Sequence, residues 1–189
     1  MNILAFGTSS KTASINQMLA VYAANLVVGA NVSQLSIADY EMPLYSEDRE
    51  QELGQPPAAH AFRARMAAAD ALVISFAEHN GSYTAAFKNL FDWASRIDRS
   101  VFQQKPVVYL STSPGSGGGA NMLGTALSAA PHFGANVIAS LSVPSFYDNF
   151  SIENRAVVDA EVKQDLENVM QKLAEHLTEG DASTVANVG

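Results

Sequence analysis

The feature that most constrains the fold is a series of short, nearly continuous apolar runs that alternate with segments of helical spacing. Residues 3 to 6 (Ile-Leu-Ala-Phe), 71 to 76 (Ala-Leu-Val-Ile-Ser-Phe), 106 to 110 (Pro-Val-Val-Tyr-Leu) and 137 to 141 (Val-Ile-Ala-Ser-Leu) are such runs. Their length and apolar continuity read as strands covered on both faces, as a parallel sheet requires. A weaker run, 32 to 37, fits the second strand. Between the runs, Ile15, Leu19, Tyr22 and Leu26 repeat at helical spacing behind Ser14 and Gln17, which have the form of a capping box. Phe87, Leu90, Phe91, Ala94 and Ile97 form a similar stripe behind Thr84, a candidate cap. Further helices are expected near 58 to 68, 119 to 132 and 157 to 178, with Gly134 placed to end the fourth. Strand and helix thus alternate five times. Because a parallel crossover must return across a sheet face, the expected fold is α/β: a doubly wound five-stranded parallel sheet of order 2-1-3-4-5 with helices on both faces.

The length of 189 residues suits a single domain, read here as residues 1 to 180 with a flexible tail over 181 to 189. Hydrophobic residues at 48 % and charged residues at 16 % give a globular composition. No apolar run reaches membrane-spanning length, and Met1-Asn2-Ile3-Leu4 lacks the basic flank of a signal peptide. A cytoplasmic protein with no membrane partner is expected. The chain has no cysteine, which excludes disulfides, thiolate metal sites, iron–sulfur clusters and cysteine nucleophiles. His60, His79, His132 and His176 fall in no ligand spacing, so no metal is expected. A net charge of −8 argues against a nucleic-acid partner and means that any anionic ligand needs local donors. No internal repeat is present. The segment 38 to 57, with Pro43, Gly54, Pro56 and Pro57, reads as a long connection that covers a site, meets a partner subunit or moves.

In such a sheet the ligand crevice lies beyond the carboxyl ends of the strands, so the loops after strands one, three and four should converge. The first, Gly7-Thr8-Ser9-Ser10-Lys11-Thr12-Ala13-Ser14-Ile15-Asn16, joins a strand to a helix N-terminus and is dense in hydroxyls; Lys11 adds its one positive charge. It can hold a phosphate with its backbone N–H groups, and it reads equally as an ordinary capped polar turn. It lacks the glycine patterns of triphosphatases and dinucleotide folds. In the second, Ala77-Glu78-His79-Asn80-Gly81-Ser82-Tyr83, backbone amides and the Asn80 side chain could bond the edge of a planar ring, with Gly81 permitting close approach. His79 and Glu78 read more simply as loop residues than as acid or base. The third, Ser111-Thr112-Ser113-Pro114-Gly115-Ser116-Gly117-Gly118-Gly119, is expensive to order, which suggests an N–H nest beside a ligand.

Taken in order, the stretches GTSSKTASIN, AEHNGSYTAAFKNLFDW and SPGSGGG resemble the NADPH-dependent FMN reductase family, a flavodoxin-like group that includes quinone, azo and chromate reductases. The resemblance spans residues 1 to about 120. It implies that Ser9, Lys11, Ser14 and Asn16, with the Ile15, Asn16 and Gln17 amides, bind the FMN phosphate. It further implies that Ala77, Glu78, His79, Asn80 and Gly81 line the isoalloxazine edge, and that Ser113, Pro114, Gly115, Gly118 and Gly119 meet its pyrimidine side. Lys88-Asn89 and Asp92-Trp93 match a helix that is architectural in the family; Lys88 and Asp92 alone would be an exposed i,i+4 ion pair. The family's loop Arg is absent, and Ala77 and His79 stand where Pro and Tyr are common.

The resemblance implies a reductase that takes hydride from NADPH or NADH onto FMN and passes it to a small acceptor such as a flavin, quinone or azo compound, with no catalytic side chain required. It also implies a homodimer or homotetramer. Two rivals are a flavodoxin-type electron carrier, which would bind FMN without oxidising NAD(P)H, and a binding module for another phosphorylated ligand, which would take up no flavin.

Overall fold

The structure, a computed structural model, describes the backbone of residues 1–186 and the side chains of residues 1–179. Five parallel strands form the central sheet: β1 (Asn2–Gly7), β2 (Asn31–Gln34), β3 (Ala71–Phe76), β4 (Lys105–Thr112) and β5 (Ala135–Val143). Their order is 2-1-3-4-5, as the alternation of runs predicts. The period-two alternation of strand side chains divides the core into two layers. Leu4, Phe6, Leu72, Ile74 and Phe76 face α3 (Pro57–Ala67), α4 (Ala85–Ile97) and α5 (Ala120–Ala129). Ile3, Ala5, Ala71, Val73, Val108 and Leu110 face α1 (Ile15–Ala24) and α6 (Ala160–Ala186). Every residue of β3 is buried, which is why its run is the most apolar in the chain.

The edge strand β2 is shorter than expected. It pairs only from Asn31 to Gln34 with Asn2 to Ala5, and the chain then turns into a 3₁₀ helix over Ile37–Tyr40. Leu35 and Ile37 made the run look longer because both are buried, although they bury against the α3–α4 layer from outside the strand. The final helix runs Ala160–Ala186, past the expected end at 178. Of the tail expected over 181 to 189, residues 187–189 lie outside the described residues, and so do the side chains from 180 onward. Among the described residues no helix is long and apolar enough to cross a membrane.

The long connection of 38 to 57 is folded against the body. It contains α2 (Glu47–Leu53), capped by the Ser46 hydroxyl accepting from Arg49 N–H at 3.2 Å, with Glu47, Asp48 and Glu50 in the first turn, where the helix dipole favours them. No residue of α2 is buried, so it carries no apolar stripe to betray it. The connection is fastened by α4. Asn89 accepts from Tyr45 N–H at 2.8 Å and donates to the Met42 and Pro43 carbonyls at 3.1 and 3.2 Å, while Trp93 Nε1 donates to the Pro43 carbonyl at 2.8 Å. Trp93 is fully buried with Tyr45 edge-on at 5.1 Å, so its place is in this chain's own core. Lys88 and Asp92 form the exposed i,i+4 pair at 2.6 Å. The paired residues of this helix thus divide: Asn89 and Trp93 clamp a loop, and Lys88 and Asp92 decorate a surface.

Glu50 completes the clamp by accepting from Tyr45 Oη, Arg96 Nε and Gln55 Nε2 at 2.9, 3.0 and 2.8 Å. Burial pushes its carboxyl up, but the Tyr45 and Arg96 hydrogen bonds outweigh this and hold it below its ordinary value. A carboxyl lowered in the folded state contributes stability above the ordinary range and loses it as pH falls through the lowered value. Glu50→Gln should therefore lose less stability than the wild type between neutral pH and the acid range, measured by urea unfolding at several pH values. In the same assay at neutral pH, Asn89→Ala should cost about 2 kcal/mol, for two to three lost hydrogen bonds. Lys88→Ala should cost no more than about 0.5 kcal/mol.

Candidate functional site

The site begins where β1 runs into α1. A Cβ on Gly7 would lie 2.4 Å from Gln17 N and 2.7 Å from Asn16 C, so only glycine lets the strand end come this close to the helix start. Half of the expected capping box forms: the Ser14 hydroxyl accepts from Gln17 N–H at 3.2 Å. The Gln17 carboxamide turns away to accept from Gly7 N–H at 2.8 Å. Gln17 therefore spends its N–H on the cap and its side chain on the strand, and it does not line the cleft. The N–H groups of Ile15 and Asn16 have no acceptor among the described residues and open onto the cleft, as the first N–H groups of a helix do.

Beneath that opening lies a set of buried hydrogen bonds. The Asn16 Oδ1 accepts from Ser75 Oγ at 2.7 Å and from Thr112 N–H at 3.2 Å, while its Nδ2 donates to the Thr112 carbonyl at 3.2 Å. One side chain thus joins the start of α1 to the carboxyl ends of β3 and β4. Thr8 adds a second link: its N–H donates to the Ser75 carbonyl, its hydroxyl accepts from Ala77 N–H at 2.9 Å, and its carbonyl accepts from Thr84 Oγ1 at 2.5 Å. Thr84 in turn caps α4 through Phe87 N–H at 3.2 Å, as its position predicts. Thr8, Ser14, Asn16, Ser75, Thr84, Ser111 and Thr112 are the buried polar residues of the described chain, and all lie at this end of the sheet. Polar groups survive burial only when bonded, so their concentration marks a floor whose geometry is fixed.

The second loop is a two-residue hairpin, Glu78–His79 paired with Ser82–Tyr83, and Asn80 and Gly81 form its turn with φ of 53° and 75°. Positive φ at both positions is what a type I′ turn needs, and Asn-Gly is its favoured pair. Asn80 and Gly81 accordingly serve the turn and do not line the cleft, whereas Ala77, Glu78 and His79 do. The Glu78 carboxylate accepts from Met122 N–H at 2.9 Å at the start of α5, which anchors the hairpin base.

The third loop folds back upon β4 and β5. The Gly118 carbonyl accepts from Ser111 Oγ at 2.8 Å and Ser142 Oγ at 3.1 Å, and a Cβ on Gly118 would lie 2.4 Å from Ser142 Oγ. The Gly115 carbonyl accepts from Ser145 N–H at 2.9 Å, and Gly119 opens α5. Gly118 and Gly119, both at positive φ and close to Ser142 and Ser111, are thus needed for close packing of the loop, whereas a Cβ on Gly115 would meet open space; the cleft is lined here by Thr112, Ser113 and Pro114.

The cleft that results has a volume of about 250 Å³. It brings together Ser9, Lys11, Ser14, Ile15, Asn16, Ala77, Glu78, His79, Ser113 and Pro114 of the expected site, and adds Thr112 and Tyr147. Thr112 was hidden because strand position alone does not reveal a lining residue. Tyr147 was hidden because it follows β5, a loop that strand order does not single out. A larger cavity of about 480 Å³ lies on the other side of the first loop, between Ser10, the 37–44 segment and the start of α4. Among the described residues, Lys11 is the one lysine or arginine lining the cleft. With the two free N–H groups it offers donors to an anion, and the second and third loops border the rest of the cleft; among the described residues no nucleophile is hydrogen-bonded to a base there. The residues present therefore fit a flavin mononucleotide.

The family model described as NADPH-dependent FMN reductase matches residues 1–148. An NAD(P)H-dependent FMN reductase of Pseudomonas aeruginosa is 36 % identical over 116 residues, 61 % of this chain and 61 % of its own length. A 2-hydroxy-1,4-benzoquinone reductase of Burkholderia is 33 % identical over 141 residues, 70 % of this chain and 73 % of its own. Among solved structures, the flavoenzyme NAD(P)H:(acceptor) oxidoreductase FerB of Paracoccus denitrificans superposes with a TM-score of 0.77 at 21 % identity, covering 94 % of this chain and 97 % of that one.

Asn16→Ala would strand the Ser75 hydroxyl and both Thr112 backbone groups in the floor. It should lower unfolding free energy by about 3 kcal/mol in urea titration. Gly7→Ala, which forces strand and helix apart, should cost roughly 1–3 kcal/mol or more in the same measurement.

Proposed function

The chain belongs to the NADPH-dependent FMN reductase family, and from that premise we propose that it holds FMN in the cleft described above and uses it to pass reducing equivalents from NADH or NADPH to a small acceptor. The observation that carries this reading is the pairing of two unbonded N–H groups, Ile15 and Asn16, with Lys11 at one end of a cleft whose floor is otherwise fully bonded. In a chain of net charge −8 this is a local exception suited to a phosphate. Ser9 and Ser14 stand beside it as hydroxyl partners. Ala77, Glu78 and His79 border the flat group on one side, Ser113 and Pro114 on the other. Gln17, Asn80, Gly81, Gly115, Gly118 and Gly119 act one step back, by shaping the three loops.

Bound FMN would supply the hydride chemistry. The chain's own part is to fix the phosphate, to hold the ring system between two anchored loops, and to leave one side open to the nucleotide and the acceptor in turn. A quinone is the proposed acceptor, in keeping with the relative named as a benzoquinone reductase. We place residues 1 to 180 in one FMN-binding domain that acts in the cytoplasm as a homodimer or homotetramer; exposed Leu44 and Leu53 on the 38–57 flank support an assembly contact.

Purified chain loaded with FMN should lose its visible flavin absorbance when NADH or NADPH is added without oxygen, and recover it on addition of benzoquinone. Flavin uptake without bleaching would overturn the reductase in favour of an electron carrier, and absence of flavin uptake would overturn both. Lys11→Ala should weaken FMN binding about tenfold, the equivalent of one charge-assisted hydrogen bond, read by fluorescence titration.

A further inference from the structure

Tyr147 has no part in the site as the sequence frames it, yet it lines the same cleft as Lys11, Ile15 and Pro114. It sits in the four-residue helix Phe146–Asn149, directly after β5. Phe146 and Phe150, four apart, both turn inward: each is buried, and their rings stack at 4.7 Å and 20°. Position 147, a little over a quarter turn on from 146, is thereby directed away from the core, and the residue remains 53 % exposed. A large ring left in water at a cleft mouth asks for an occupant.

The placement of this ring is also fixed by the loop beside it. Phe146 N–H donates to the Ser113 carbonyl at 3.0 Å and Ser145 N–H to the Gly115 carbonyl at 2.9 Å. Asn149 Nδ2 donates to the Pro144 carbonyl at 2.9 Å, and Phe146 supports the Tyr147 ring edge-on at 5.6 Å and 86°. Ser145 takes left-handed dihedrals, φ 45° and ψ 55°, a conformation that a residue with a side chain adopts at a cost. The chain therefore bends sharply after β5, and the bend brings Tyr147 to the cleft. Among its described lining residues it supplies the one six-membered ring.

We infer that Tyr147 is an aromatic wall of the cofactor site, against which the flat ring system of FMN packs; this rests on the FMN reading of the cleft. The contact is made by the face or edge of the ring and not by its hydroxyl. It acts on affinity and on the optical properties of bound flavin, because an electron-rich phenol in contact with an excited flavin quenches its fluorescence.

The test is fluorescence titration of the apoprotein with FMN, for the wild type and for Tyr147→Phe, Tyr147→Leu and Tyr147→Ala, with far-ultraviolet circular dichroism to check that each is folded. The wild type should quench bound FMN. Y147F should keep most of the affinity, while Y147L and Y147A should bind about tenfold more weakly and leave bound flavin brighter. Y147L keeps the bulk of the side chain, so it reports on the ring even where alanine harms the fold. Wild-type affinity and quenching in Y147L would overturn the inference, and so would a loss in Y147F as large as that in Y147A, which would assign the effect to the hydroxyl. Failure of the wild type itself to take up FMN is a separate result that removes the cofactor reading and this inference with it.

Discussion

The Asn16 carboxamide is the joint on which the site depends. Its oxygen and nitrogen are both spent on β3 and β4, through Ser75 and Thr112, so the first helix cannot shift without breaking bonds in the middle of the sheet. Buried amide bonds of this kind contribute modestly when made and cost much more when one partner is stranded. The consequence is geometric: the start of α1, where the free N–H groups lie, is held in a fixed relation to the loops after both strands. Gly7 permits the joint by letting β1 end against α1, and Thr8 repeats its logic one residue later by tying the second loop to the first.

This division of labour explains why polar residues expected to face a ligand split into two groups. Those with side chains turned down, Asn16 and Gln17, build the floor; those along the rim, Ser9, Lys11 and the backbone of Ile15, are left for an occupant. The same holds for glycines in the third loop, whose carbonyls are consumed by Ser111, Ser142 and Ser145. Gly118 and Gly119 here serve dense packing against two strand ends, and the cleft is lined by Ser113 and Pro114 beside them. Local positive potential at the rim then outweighs an unfavourable net charge, since interactions across a few ångströms dominate over screened charges further away.

Most of the fold was legible because fully buried parallel strands leave a strong trace: the run of β3 is apolar but for Ser75, and all its residues are buried. What was illegible had no such trace. The helix Glu47–Leu53 buries nothing and sits between prolines, so no apolar periodicity marked it, although its Glu, Arg, Gln and Leu residues behind Ser46 were the available signal. The hairpin around Asn80 and Gly81 has strands of two residues, too short for alternation, although its Asn-Gly turn was the available signal. Of the site, the three loops and their convergence followed from strand order. The direction of each side chain did not, because whether Asn16 points to a ligand or to Thr112 depends on partners 59 and 96 residues away. Tyr147 escaped for a related reason, its direction being set by the burial of its neighbours Phe146 and Phe150.

Three loops, bolted together beneath their surface, should receive FMN as one cleft. Amide hydrogen exchange of the protein with and without FMN tests it most directly. FMN should add protection in peptides covering 9–16, 77–79 and 112–115 together and leave the peptide covering the 37–44 wall of the neighbouring cavity unchanged. Protection confined to 37–44, or spread across the molecule without these three loops, would contradict it.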